Sequence, residues 1–219
     1  MLHLTRVSCA LIFLLALGAP AWGDVMVLGD SGWSVEAIGT RVAIDVHLID
    51  VDHTGEGTVR ISIDKDFGPA LWTGDEVDFP VGILSFTRTE PGTVPVGRIV
   101  IDHEDIHNGT GAAWTLFRWD LFQGSAAFDA TASAGWVVAP EFAGWTPFFP
   151  SGGGYMTIAA TGGAGVPDGG DFNPIGGLVI VADDDFDLKE QVLPEPGSLA
   201  VLLTGGPALL GRRRRRPAK

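Results

Sequence analysis

The chain has 219 residues, 27 acidic against 14 basic side chains, and a formal net charge of −13. The imbalance is concentrated between Asp24 and Leu193, where 26 acidic side chains face 7 basic ones. Such a surface repels nucleic-acid phosphates and anionic lipid, which argues against a nucleic-acid partner, and the stretch is long enough for one domain with a sizeable core. The only cysteine, Cys9, precedes it, so the domain has neither a disulfide nor a thiolate metal site to rest on.

At the N-terminus Arg6 leads into the apolar run Val7 to Leu17, followed by the small-residue sequence GAPAWG. The run falls well short of the roughly 20 apolar residues a spanning helix needs, so residues 1–23 read as a secretory signal peptide with a signal helix. Cleavage is expected after Gly23, with Ala21 the alternative. Cys9 lies near the start of the run, where a lipid-attachment box would close it, and is a bystander.

From residue 24 to 192 the pattern is that of strands. RVAIDVHLID sets Val42, Ile44, Val46 and Leu48 against Arg41, Ala43, Asp45 and His47. TVRISID sets Val59, Ile61 and Ile63 against Arg60, Ser62 and Asp64. Both have period two, one face apolar and the other wet, and HTGEG between them is a turn, which predicts a hairpin. Further strands are expected at VMVL, GWSVEAI, GILSFTR, GRIVID, TLFRWDLF, YMTIAA, GLVIVA and FDLKEQ. Short strands separated by Gly, Pro and Asp predict an all-β fold, an antiparallel β-sandwich of jelly-roll-like type. The Gly-rich segments SGGGY, TGGAG and PDGGDFNPIGG, between Ser151 and Gly177, are expected to be turns and a long loop.

His103 to His107 spell HEDIH, the letters of a zinc-protease helix in which two histidines hold the metal and the glutamate activates water. That chemistry needs a helix and a third ligand. Here GRIVID runs in as a strand, NGTG (Asn108 to Gly111) would end any helix at once, and no histidine follows His107. The segment is expected to be extended, with His103 and His107 on one face and Glu104 on the other. Asn108-Gly109-Thr110 also matches a glycosylation sequon, read here as coincidence.

Acidic groups offer oxygen ligands for calcium, and Asp168, Asp171, Asp183 and Asp185 are the candidate set, although no spacing among them is that of an EF-hand loop. Among the tryptophans, Trp119 shares a strand face with Phe117 and Leu121 and is expected in the core. Trp136 and Trp145, flanked by Gly and Pro, are the expected exposed pair and the candidates for stacking on sugar rings. No catalytic constellation stands out, so an enzyme is not expected.

The C-terminal segment, residues 193–219, has three parts in order: Pro194-Glu195-Pro196, an apolar stretch from Ser198 to Leu210, and Arg212, Arg213, Arg214, Arg215 and Arg216. Prolines around a glutamate keep the first part extended and accessible. The apolar stretch makes a helix of about 20 Å against a hydrocarbon core of about 30 Å, a marginal transmembrane helix. The arginines hold its end in the cytoplasm and leave the domain outside. This arrangement resembles the PEP-CTERM sorting signal, whose members are exported, recognised by an exosortase and processed at or near Pro-Glu-Pro. LPEPG also differs from the LPxTG cell-wall signal only at Pro196. The PEP-CTERM resemblance implies export through the Sec translocon, transient anchoring in the inner membrane, an exosortase-type processing enzyme, and a place in the cell envelope or extracellular matrix, often with exopolysaccharide. A second resemblance, over Asp105 to Gly124, is to a segment of other PEP-CTERM proteins in which an Asn-x-Thr-Gly turn precedes a Trp-rich strand.

Overall fold

Where the sequence alternates apolar and polar residues, the chain is strand. A computed structural model describes residues 21–73, 76–90, 94–148 and 157–194. The first strands are β1 (Ala21–Val27), β2 (Trp33–Thr40), β3 (Val42–Asp52), β4 (Thr58–Phe67), β5 (Leu71–Thr73), β6 (Glu76–Asp78) and β7 (Val81–Arg88). The rest are β8 (Arg98–Asn108), β9 (Trp114–Phe122), β10 (Ala127–Phe128), β11 (Gly144–Phe148), β12 (Thr157–Val166), β13 (Asp171–Phe172), β14 (Ile175–Val181) and β15 (Phe186–Pro194). One 3-10 turn, Ala132–Gly135, lies between β10 and β11. The protein is all-β and sandwich-like.

A seven-stranded sheet runs β1-β2-β7-β15-β9-β12-β11, and a six-stranded sheet runs β10-β14-β8-β4-β3 with β13 also on β8. Their inner faces share one core, in which Phe67 of the second sheet meets Trp114 and Phe117 of the first edge-on, at 5.3 and 5.8 Å between ring centroids. Edge-to-face packing is the arrangement aromatic quadrupoles favour, and such rings carry much of the buried apolar area. The expected hairpin is present: β3 and β4 pair antiparallel, Val46 opposite Ile63.

Three expectations need correction. The ladders are antiparallel with one exception, β4 against β8, which run parallel, so an entirely antiparallel jelly-roll-like sandwich does not describe the sheet. The cause is the route of the chain, which leaves β4, crosses to the opposite sheet as β7 and returns in the original direction. TGGAG is part of β12 rather than a loop, because its glycines take up a bulge in the β12–β9 ladder between Thr161 and Val166. β1 starts at Ala21 and β15 continues to Pro194. The short strands β5, β6, β10, β11 and β13 were not expected, being too brief or too rich in Gly and Pro to show a period.

The expected signal helix falls outside the described residues apart from residues 21–23, which are strand. The segment expected to form a C-terminal helix, Glu195, Pro196, SGGGY and Arg212 to Arg216 also lie outside them. Among the described residues no helix is long and apolar enough to cross a membrane.

Candidate functional site

HEDIH occupies the second half of β8, as its flanks predict. A bulge at Asp102, where Ile61 faces Ile101 but Ser62 faces His103, reverses the strand's parity. Ile99 and Ile101 point inward before it, and Glu104, Ile106 and Asn108 after it. His103 and His107 consequently stand about half exposed on the outer face, while Glu104 is fully buried on the inner one. A water-activating glutamate and two metal-holding histidines cannot serve one ion from opposite faces of a sheet.

The outer face is acidic. Asp45, Asp64, Asp66, Asp105, His107 and Asp171 line a shallow depression of about 390 Å³. His107 Nδ1 lies 2.8 Å from Asp171 Oδ1, and this hydrogen bond raises the His107 pKa above its ordinary value, with the charges of Asp171, Asp66 and Asp168 adding to it.

The four candidate calcium residues do not converge. Asp168 accepts a hydrogen bond from the Gly111 N–H at 2.8 Å, and Asp171 is engaged by His107. Asp183 accepts from the Ser125 hydroxyl, and Asp185 accepts from the Arg88 backbone N–H at 2.9 Å. Among the described residues no three His, Cys, Asp or Glu side chains are grouped to hold a metal ion.

The expected exposed tryptophan pair is also corrected. Trp136 is 3% exposed, because the segment after the 3-10 turn folds back onto the core and sets its ring edge-on to Trp119 at 4.8 Å. Trp145 is partly buried against the same core, and its indole N–H donates to the Trp136 carbonyl at 3.1 Å. Neither the pair's rings nor Trp33, Trp114 and Trp119, all fully buried, offer an open stacking platform. Trp119 lies inward with Phe117 and Leu121, as their shared parity predicts.

Inside the core lies a constellation that motif reading passes over. Lys65 of β4, Glu104 of β8 and Glu190 of β15 are all buried, and they meet between the sheets. Lys65 Nζ donates a hydrogen bond to Glu104 Oε1 and lies 2.5 Å from Glu190 Oε2. The latter contact is a close ion pair, and Glu190 also lies beside Glu104, so the three groups meet at one point. Trp119 Nε1 donates to Glu104 Oε2 at 3.1 Å, and Trp119 is itself ringed by Phe117, Trp136 and Phe172. Burial pushes the Glu190 carboxyl up, and the neighbouring Glu104 adds to this; against the pull of Lys65 the result is about 8. Burial opposes the Lys65 ammonium, but the two carboxyl groups outweigh it and hold its pKa above the ordinary value. Burial thus favours the neutral form of Glu190, which lessens the charge the core must hold.

The signal for this cluster was in the parity of the strands. Lys65 continues the inward series Val59, Ile61, Ile63, and Glu190 sits between the inward Leu188 and Val192. A charged residue on the apolar parity of a strand needs a buried partner. Only Glu104 was concealed, by the bulge before it.

The fold and site together define an all-β protein of two facing sheets with a buried charged cluster between them. No protein-family model matches the chain, nor does any curated protein or solved structure.

Proposed function

We propose that this is an exported protein of the cell envelope or extracellular matrix, sorted by an exosortase-type enzyme, whose β domain serves a structural or binding role rather than catalysis. The observation that carries the reading is the order of Pro194-Glu195-Pro196, the apolar stretch Ser198 to Leu210, and Arg212 to Arg216. Two features support it. The ladder of β15 reaches Pro194, opposite Trp114, so the motif follows directly on a core strand of the domain. The strongly acidic domain without cysteine suits a soluble surface among extracellular cations.

On this reading the chain passes the Sec translocon, is held transiently by its marginal C-terminal helix and is released on processing, with exopolysaccharide as the natural neighbour. A carbohydrate-binding module is the weaker form of the proposal, since Trp136 and Trp145 do not present open ring faces. Mass spectrometry of the protein isolated from the cells that make it tests the sorting. The mature C-terminus is expected near Pro194 to Pro196; a C-terminal peptide still carrying Arg212 to Arg216 sinks the proposal.

A further inference from the structure

We propose that Lys65 and Glu104 condense inside the folded core to form an intramolecular amide, Lys65 Nζ to Glu104 Cδ, with Glu190 relaying the protons. β4 and β8 are adjacent parallel strands in which Ile63 faces Glu104 and Lys65 faces Ile106. The two side chains are thus diagonal neighbours on one inner face, already joined by a hydrogen bond. Glu190 reaches the same point from the opposite sheet, on a strand where its direct neighbour is Trp119.

Each participant has the position its role requires. The core fixes amine and carboxyl in contact, replacing a bimolecular encounter by an oriented one. The Trp119 N–H at Glu104 Oε2 faces the oxygen on which negative charge develops during attack on Cδ. Glu190, a buried carboxyl 2.5 Å from Nζ and beside Glu104, is the group able to give and take a proton there. Solvent is excluded, since Lys65 and Glu104 side chains have no exposure. In such surroundings an ammonium and a carboxylate are both costly, and an amide replaces them by one neutral group.

The step balances without another reagent. A proton passes from the Lys65 ammonium to the Glu104 carboxylate along their hydrogen bond, leaving a neutral amine and a neutral acid. The nitrogen lone pair attacks Cδ, and the carbonyl electron pair moves to Oε2. Glu190 gives its proton to the Oε1 hydroxyl, the C–O bond breaks, water departs and the carbonyl re-forms. Glu190 then recovers a proton from the new amide nitrogen. The sum is ammonium plus carboxylate to amide plus water, and Glu190 ends as it began.

The full chain, purified and then denatured, is digested with trypsin and its peptides are weighed. A branched peptide joining residues 61–88, uncut at Lys65, to residues 99–118 is expected, lighter than the two segments together by one water. Complete recovery of the linear peptides 61–65, 66–88 and 99–118 overturns the proposal and leaves the cluster a permanent ion pair. Glu190→Gln keeps the side-chain volume; with its fold verified by the near-ultraviolet signal of the buried tryptophans, it is expected to form the branch at least about tenfold more slowly. Branch formation at the unaltered rate overturns the assignment of Glu190.

Discussion

Asn108 shows how much one buried amide can hold. Its Nδ2 donates to the carbonyls of Ala112, Val166 and Pro167 at 2.9, 3.1 and 3.0 Å, and its Oδ1 accepts from the Thr110 N–H and hydroxyl at 3.1 and 2.7 Å. Thr110 Oγ1 then accepts from the Trp114 indole, so the Asn-x-Thr-Gly turn locks the end of β8 to the start of β9. The side chain is fully buried, which agrees with reading the sequon as coincidence. Asn108→Ala removes the amide that joins these groups and is expected to cost about 3 kcal/mol, seen as a lower urea midpoint with an unchanged slope. On the outer face, His107 offers a pH-dependent counterpart. Its pKa is raised from 6.5 in the folded state, chiefly by the Asp171 hydrogen bond. The folded protein therefore binds the proton more tightly than the unfolded chain. The stabilisation is fully present below the unfolded value and is lost as pH rises through the folded one. Asp171→Asn is expected to move the imidazole titration, followed by NMR, back toward 6.5, leaving the smaller influence of Asp66 and Asp168.

At the scale of elements, the sequence was legible where side chains obey a two-residue period. The two strands read from alternation are present and HTGEG makes their hairpin, and each further expected segment lies on a strand, YMTIAA in its described part from Thr157. Illegible were the places where backbone geometry breaks the period. The β8 bulge turns Glu104, Ile106 and Asn108 inward although Ile99 and Ile101 have the opposite parity, and no local residue pattern announces it. Trp136 was misjudged for a related reason: Gly and Pro mark a turn, but not whether the turn folds back over a core. TGGAG has the composition of a loop, yet its positive-φ glycines are what let β12 bulge and rejoin β9. Gly165 has φ +73°, and a Cβ there would lie 2.1 Å from the Trp114 carbonyl oxygen. Because that obstacle is backbone, no rotamer relieves it. Gly165→Ala is expected to lower stability by more than about 1 kcal/mol and to expose Trp114, read as a red-shifted fluorescence spectrum together with an earlier urea midpoint.

For the molecule as a whole, the decisive strand is the last one. β15 lies at the centre of the seven-stranded sheet, between β7 and β9, and contributes Phe186, Leu188 and Val192 to the core and Glu190 to the charged cluster. Without it the sheet falls into β1-β2-β7 and β9-β12-β11, and Lys65 and Glu104 face an open gap. Completion of the fold therefore waits for the segment immediately before Pro-Glu-Pro, and any amide that depends on Glu190 forms only after that strand has docked. β15 is paired through Pro194, so a chain ending there keeps every described ladder. A chain ending at Pro194 is accordingly expected to match the full chain in urea midpoint, whereas one ending at Asp185 is expected to lose cooperative unfolding and the near-ultraviolet signal of its tryptophans. Retention of a cooperative transition by the shorter chain would mean that the two half-sheets close over the core unaided, and β15 would then be a late addition to the fold instead of its keystone.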